Sequence, residues 1–351
     1  MTKNDLFAKL SELDRHHIFD AIDAQPDHLA LSFGDEMSQA LTREMGEGIE
    51  NIVYAGMGGS ALACELLRDW LHERLRLPFE IARDYSLPGY IDGRTLAIIS
   101  SYSGNTEEAL AALRSAEKMG CRIVVLTAGG ELLEIAQAKK YITLKLPKVS
   151  QPRLSVFAGL KALACLMADL GLSEGVDLER ELLEAGNFLN TAKGALSLDD
   201  THDNLARELA VKLHGKPVLI YAGPRLRSAA YKWKIDINEN AKQLAFWNTY
   251  PELNHNEMQG WPLPDEKELI CVQLESNLDS ERVQKRQLIT RQVLAKCGFE
   301  PIIVRAEGRT HLEQLLYTVL LGDYVSAYLG ILNGVDPTPV ELVEKFKQEL
   351  G

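Results

Sequence analysis

From Asn51 onwards, short apolar runs alternate with longer amphipathic ones: NIVYAG, SALACELLRDWLHERL, FEIARD, TLAIISS, TEEALAALRSAEKMG, CRIVVLTA and YITLKLP follow one another. Strands buried on both faces read as continuous apolar runs and crossover helices as amphipathic ones, so the alternation predicts a parallel sheet flanked by helices. A helix of about 17 residues, from Leu154 to Leu170, closes this first unit, and a more polar stretch from Asp177 to Asp203 leads onward. The alternation then restarts: LARELAVKLHG is helical, KPVLIYAG a strand, a helix begins at Arg225, and AFWNTY, ELICVQLE and EPIIVRAEG are strands, with a helix from Ser280 to Cys297 between the last two. Helices from Thr310 to Leu332 and from Thr338 to Leu350 complete the chain. The pattern therefore predicts an α/β fold of two similar units in tandem.

Residues 1–50 read as helices broken near Gln25-Pro26-Asp27 and form a helical arm without recognisable chemistry. The expected organisation is this arm at 1–50, a first α/β unit at 51–195, a second at 196–335 and a C-terminal helix at 336–351.

The stretch from Arg225 to Trp261 does not read as scaffold alone. Leu226, Ala230, Trp233, Ile237, Ala241 and Leu244 recur every 3 to 4 residues and define one apolar stripe. Glu239 falls about 200° round the helix from Ile237, and periodicity alone makes it a surface residue flanked by Lys232, Asp236 and Lys242. From Tyr250 to Trp261, polar residues including Glu252, Asn254, His255, Asn256 and Glu257 lie between aromatic ones, a mixture that predicts a binding surface or a partner-covered one.

Composition narrows the partners. With 38 Lys and Arg against 50 Asp and Glu, the net charge of −12 argues against nucleic acid or an anionic membrane as the main partner. The five cysteines, Cys64, Cys121, Cys165, Cys271 and Cys297, are scattered and form neither a disulfide framework nor a paired metal motif. The first residues lack the apolar core of a signal peptide, and no apolar run is read as reaching the roughly 18 residues a membrane span requires, so a cytoplasmic location is expected.

Two loops carry candidate chemistry. The first strand ends in Gly56-Met57-Gly58-Gly59-Ser60-Ala61 and runs straight into a helix, which brings backbone N–H groups and the positive end of the helix dipole to an anion. The third ends in Ser100-Ser101-Tyr102-Ser103-Gly104-Asn105-Thr106-Glu107-Glu108, where the hydroxyls of Ser101, Ser103 and Thr106 can converge with helix N-terminal N–H groups on a phosphate. The plain alternative is a serine-rich helix cap with Thr106 as the capping residue. Both loops stand at strand carboxyl ends, where open α/β sheets bind ligands.

Together these loops resemble the sugar isomerase (SIS) domain, and the tandem arrangement resembles phosphoglucose isomerases. GMGGSA, SYSGNTEE, RLRSAAYKWKIDINENAK, PELNHNE followed by GW, and the terminal DPTPVELVEKFK are similar to the bifunctional phosphoglucose/phosphomannose isomerase family, over residues 51–351. The resemblance implies two doubly wound SIS-type domains that interconvert glucose 6-phosphate and mannose 6-phosphate with fructose 6-phosphate through an enediolate. It implies neither a metal nor a cofactor, and the eight histidines show no HxH or HExxH spacing.

By the same resemblance Glu239 moves the proton, His255 opens the sugar ring, and Arg153 stabilises the enediolate. Ser101, Ser103 and Thr106 hold the phosphate, Gly58, Gly59 and Ser60 help hold the substrate, and Thr338 leaves room near C2 for both epimers. The terminal lysine of the motif corresponds to Lys347 or Lys345; Lys347 shares a helical face with Val340, Val343 and Leu350, which favours it as the inward one. The resemblance also implies a homodimer in which His255 reaches the neighbouring subunit. Rival readings are a phosphosugar-sensing SIS regulator, for which residues 1–50 offer no basic recognition helix, and a dehydrogenase using GxGxxA with Asp84, which explains neither SYSGNT nor NENAK.

Overall fold

Two parallel sheets, each doubly wound about a switch point, organise the computed structural model, which describes residues 9–33, 42–173, 175–198, 203–262 and 268–350. Compactness divides the chain into Ala24–Asn187 and a second unit in which Phe188–Gly351 is joined by the chain up to Asp23.

In the first unit, β1 (Asn51–Ala55), β2 (Phe79–Ala82), β3 (Thr95–Ser100), β4 (Arg122–Thr127) and β5 (Ile142–Lys145) form a sheet in the order β2-β1-β3-β4-β5. Every pairing is parallel. β3 is buried along its whole length, as a central strand covered on both faces must be. Helices Gly59–Leu71, Glu107–Lys118, Gly130–Lys139 and Val156–Asp169 cross between strands or close the unit.

The second unit repeats the plan with β6 (Val218–Ala222), β7 (Ala245–Thr249), β8 (Ile270–Glu275) and β9 (Ile302–Arg305), in the order β7-β6-β8-β9 and again parallel throughout. In both sheets the chain turns back on itself beside the first strand, between β1 and β3 in one and between β6 and β8 in the other. These switch points are where such sheets open a crevice for ligands.

Two expectations need correction. The polar stretch from Asp177 is not a plain connection, because Leu178–Ala192 is a helix whose Leu178, Leu182, Ala185 and Leu189 are buried. Their helical spacing was present in the sequence but diluted by the intervening charges. The helix His311–Leu332 also meets the length and composition of a membrane span, with a mean hydropathy of 1.5 over its most apolar window. That window is 94% buried within the protein, so the helix is the central core element of the second unit.

Its start is specified locally: Thr310 accepts from the Glu313 N–H while the Glu313 carboxylate accepts from the Thr310 N–H. The short helix Ile18–Asp23 packs on it, with the Phe19 ring 4.8 Å from that of Tyr328 and the Tyr324 hydroxyl donating to Asp23.

Candidate active site

The first candidate loop is shaped by what a side chain would strike. A Cβ on Gly59 would lie 2.9 Å from the backbone nitrogen of Arg153, and one on Gly56 would lie 3.2 Å from the Ser100 carbonyl oxygen. The glycines therefore allow the loop after β1 to touch both the Pro152–Leu154 turn and the end of β3. Arg153, named from the sequence, is brought against this loop and is 1% exposed, with its guanidinium donating to the Gln151 side chain at 3.2 Å. Ser60 joins the two candidate loops, because its hydroxyl accepts the Tyr102 N–H at 3.0 Å and its carbonyl accepts the Tyr54 hydroxyl at 2.6 Å.

The three predicted hydroxyls do converge. The Ser101 hydroxyl lies 2.7 Å from that of Thr106 and 3.5 Å from that of Ser103, and it accepts the Gly104 N–H at 3.1 Å. Thr106 occupies the N-cap position of Glu107–Lys118, but its side chain makes no capping bond. It turns to Ser101 instead, so the simple serine-rich cap does not describe this loop. The positive helix end lies beside a cluster of hydroxyls, an arrangement suited to an anion with several acceptor oxygens.

Sequence reasoning missed the support behind this cradle, the Ala128-Gly129-Gly130 turn after β4. A Cβ on Gly104, whose φ is +76°, would fall 1.8 Å from the Gly129 carbonyl oxygen, and one on Gly130 would fall 2.2 Å from that of Ser103. The Leu132 N–H donates to the Gly104 carbonyl and the Glu131 N–H to the Asn105 side chain, both at 2.9 Å. Gly104→Ala is therefore expected to cost at least about 2 kcal/mol, from positive φ and overpacking together. A urea midpoint equal to that of the unaltered protein would show that the two turns do not bear on each other.

In the second unit, Glu239 lies in the last turn of Arg227–Asn240 and is half-buried, so the surface residue suggested by periodicity is corrected. The helix is enclosed on more than the predicted stripe. Lys232 and Asp236, named as flanking Glu239, are both 0% exposed, and Lys232 binds Asp236 at 2.8 Å and also Asp323 of the core helix. The Trp233 indole donates to the Thr318 carbonyl at 2.7 Å, and the Asn240 amide to the Ser326 hydroxyl at 2.8 Å. Leu244 departs from the stripe at 64% exposure, since the helix ends at Asn240 and Lys242 reverses the chain with a φ of +52°.

Lys242 is a further residue whose position only the structure reveals. Its ammonium donates to the Glu239 and Asp336 carbonyls at 2.8 Å each and to that of Pro337 at 3.1 Å. It thereby satisfies carbonyls at the negative helix end and joins Glu239 to the segment carrying Thr338, which is 2% exposed.

His255 is exposed at the end of the Glu252–His255 turn. The polar-aromatic segment around it divides cleanly: Tyr250, Leu253 and Trp261 belong to the core, whereas Glu252, His255 and Asn256 face outward. Glu257 anchors the turn by accepting from the Tyr221 hydroxyl at 2.5 Å and from the Asn248 amide, and the Trp261 indole donates to Tyr221 at 3.0 Å.

Lys347 is not held inward. The terminal helix Glu341–Leu350 has no buried residue, Leu342, Phe346 and Leu350 are all exposed, and Lys347 pairs with Glu344 at 2.8 Å. The apolar stripe used to orient it finds no covering surface among the described residues. Among the described residues no cluster of three or more His, Cys, Asp or Glu side chains is placed to hold a metal ion.

Residues 48–158 match the family model of the SIS domain, and residues 202–350 that of the bacterial phospho-glucose isomerase C-terminal SIS domain. The bifunctional phosphoglucose/phosphomannose isomerase of Caldicellulosiruptor bescii is 35% identical over 87% of this chain and 91% of its own. That of Aquifex aeolicus is 34% identical over 86% and 90%. The tagatose-6-phosphate ketose/aldose isomerase of Escherichia coli shares the fold, with a TM-score of 0.68 at 17% identity over 92% of this chain and 95% of its own.

Proposed function

The chain belongs to the bifunctional phosphoglucose/phosphomannose isomerase family, and on that footing we propose how its residues divide the work of a hexose 6-phosphate isomerase. The reaction is aldose–ketose isomerisation between glucose 6-phosphate or mannose 6-phosphate and fructose 6-phosphate. The observation that carries the reading is the Ser101, Ser103 and Thr106 hydroxyl cluster beside a helix start that Thr106 leaves uncapped, at a topological switch point. These hydroxyls take the substrate phosphate, and Gly58, Gly59 and Ser60 hold the substrate beside them.

His255 protonates the ring oxygen as the ring opens. In the same step the C1 hydroxyl gives up the proton that His255 regains. Glu239 then takes the proton from C2 of the open aldose and returns it to C1 of the enediolate while the C2 hydroxyl proton passes to the C1 oxygen, giving the open ketose with no net change in the enzyme. Arg153 stabilises the enediolate charge, a task suited to a guanidinium because it does not titrate. Thr338, small and buried, leaves C2 of either epimer in reach, and Lys347 completes the set. The test is fructose 6-phosphate formation from each aldose phosphate with EDTA present; turnover of neither would overturn the reading.

The assembly is a homodimer in which His255 serves the neighbouring subunit, and the location is the cytoplasm, in keeping with five unbridged cysteines. Support for the dimer comes from the exposure of His255 on an otherwise core-anchored motif and from the uncovered apolar residues of the terminal helix. Glu239→Gln and His255→Ala homodimers are each expected to be nearly inactive. Unfolded together and refolded, they should recover about a quarter of normal activity, because half the dimers are mixed and each carries one intact site. No recovery would place His255 in the site of its own chain.

A further inference from the structure

The second unit repeats the switch point of the first, yet its crevice is finished differently. β8 is followed by Ser276-Asn277-Leu278-Asp279-Ser280 before the helix Glu281–Lys296, just as β3 is followed by Ser101 to Thr106 before its own helix. Ser276 stands where Ser101 stands and likewise accepts a loop N–H, here from Leu278 at 3.0 Å. Its hydroxyl, however, donates to the Gln314 side chain of the core helix at 2.6 Å. Ser280 caps its helix by accepting the Val283 N–H, the bond that Thr106 does not make in the first unit.

Between the two loops stands a carboxylate. Asp279 is 5% exposed and accepts the Arg225 N–H at 3.3 Å, which ties the loop after β8 to the loop after β6. It lies so close to the β6 loop that a Cβ on Gly223 would fall 1.9 Å from its Oδ2. That oxygen is buried and makes no hydrogen bond of ideal geometry, with the Gln287 side chain beside the carboxyl as its support. Even with these partners the burial of the carboxylate outweighs what they return, so packing alone does not account for an acid at this position.

We propose that the second unit's anion cradle is closed by its own side chains, with the Asp279 carboxylate standing in the place of a phosphate, so that each chain binds one sugar phosphate rather than two. This rests on the reading of Ser101 to Thr106 as the phosphate cradle. Burial pushes the Asp279 carboxyl up to about 6, against the opposing Arg225 N–H, the Arg225 charge and the Gln287 side chain, all of which favour its anion. The duplication has left two crevices of the same topology, and one negative side chain makes the second self-occupied.

The probe is inorganic phosphate, with binding stoichiometry read by calorimetry on the full-length protein and folding checked by circular dichroism. The unaltered protein should bind one equivalent per chain, Ser101→Asp none, Asp279→Ser two, and the double variant one. A folded Asp279→Ser that remains at one equivalent overturns the proposal. A second variant guards against a misfolded first one: Asp279→Ala should likewise bind two equivalents, and one equivalent in a folded Asp279→Ala overturns the proposal as well. Failure of the first-cradle reading looks different, since Ser101→Asp would then keep the original equivalent, while the increment on Asp279→Ser still decides the present proposal.

Discussion

Glu239→Gln is expected to lower turnover of both aldose phosphates by about 10²- to 10⁴-fold, the range that positioned proton transfer contributes. The substitution keeps size and hydrogen-bonding reach and removes only the ability to accept a proton. The helix should hold its place, because its locks lie on other residues: Lys232 with Asp236 and Asp323, Trp233 with Thr318, Asn240 with Ser326, and Lys242 with the Asp336 and Pro337 carbonyls. KM should therefore change little while kcat falls, the sign of an interaction used in the transition state rather than in binding. Solvent hydrogen exchange into C2 of mannose 6-phosphate should be lost in step. A variant within tenfold of normal turnover would remove Glu239 from the mechanism, and a phosphosugar-sensing protein would be indifferent to the change.

The second large effect is on stability. Lys232→Met removes the cation from a triad in which Lys232, Asp236 and Asp323 are each 0% exposed. The two carboxylates hold the Lys232 ammonium above its ordinary range against the opposing effect of burial, and burial, reinforced by Asp323, raises Asp236 well above the usual carboxylate range. Removing one partner of a buried ionic set leaves uncompensated charge and costs about 3–5 kcal/mol.

The pH dependence follows from linkage. Without the ammonium, ionising the buried Asp236 carboxyl becomes harder still, so the folded state binds a proton that the unfolded chain releases as pH rises above the ordinary carboxylate value. Where the folded state holds the extra protons, stability falls with rising pH. The deficit of Lys232→Met should therefore be larger at pH 8 than at pH 5, measured by denaturant unfolding against the unaltered protein. Equal deficits at the two values would show that Asp236 does not feel the missing charge.

The triad also shows where periodicity misleads. Lys232 and Asp236 are an i, i+4 pair of opposite charge, which on most helices marks a solvated face. Here the core helix brings Asp323 to the same face and buries all three, an event encoded some ninety positions away in sequence. Lys347 fails in the opposite sense: its helix has a genuine apolar stripe, but the described residues offer no partner for that stripe. In both cases local pattern identifies a face and is silent about what the face meets.

Glu239, His255 and Arg153 were candidates only through the family resemblance. What the sequence determined by itself was the order of strands and crossover helices and the two loops at strand carboxyl ends. These follow from short-range physics: apolar runs make buried strands, glycines permit close turns, and hydroxyls at a strand's end meet the next helix start. Only the tertiary structure decided that Thr106 turns from its helix to Ser101, that Lys242 joins the Glu239 turn to the Thr338 segment, and that Asp279 ties the loop after β8 to the loop after β6. Each of these depends on which of several possible partners a polar group finds within hydrogen-bond range. That choice is set by the packing of distant segments, which no local pattern contains.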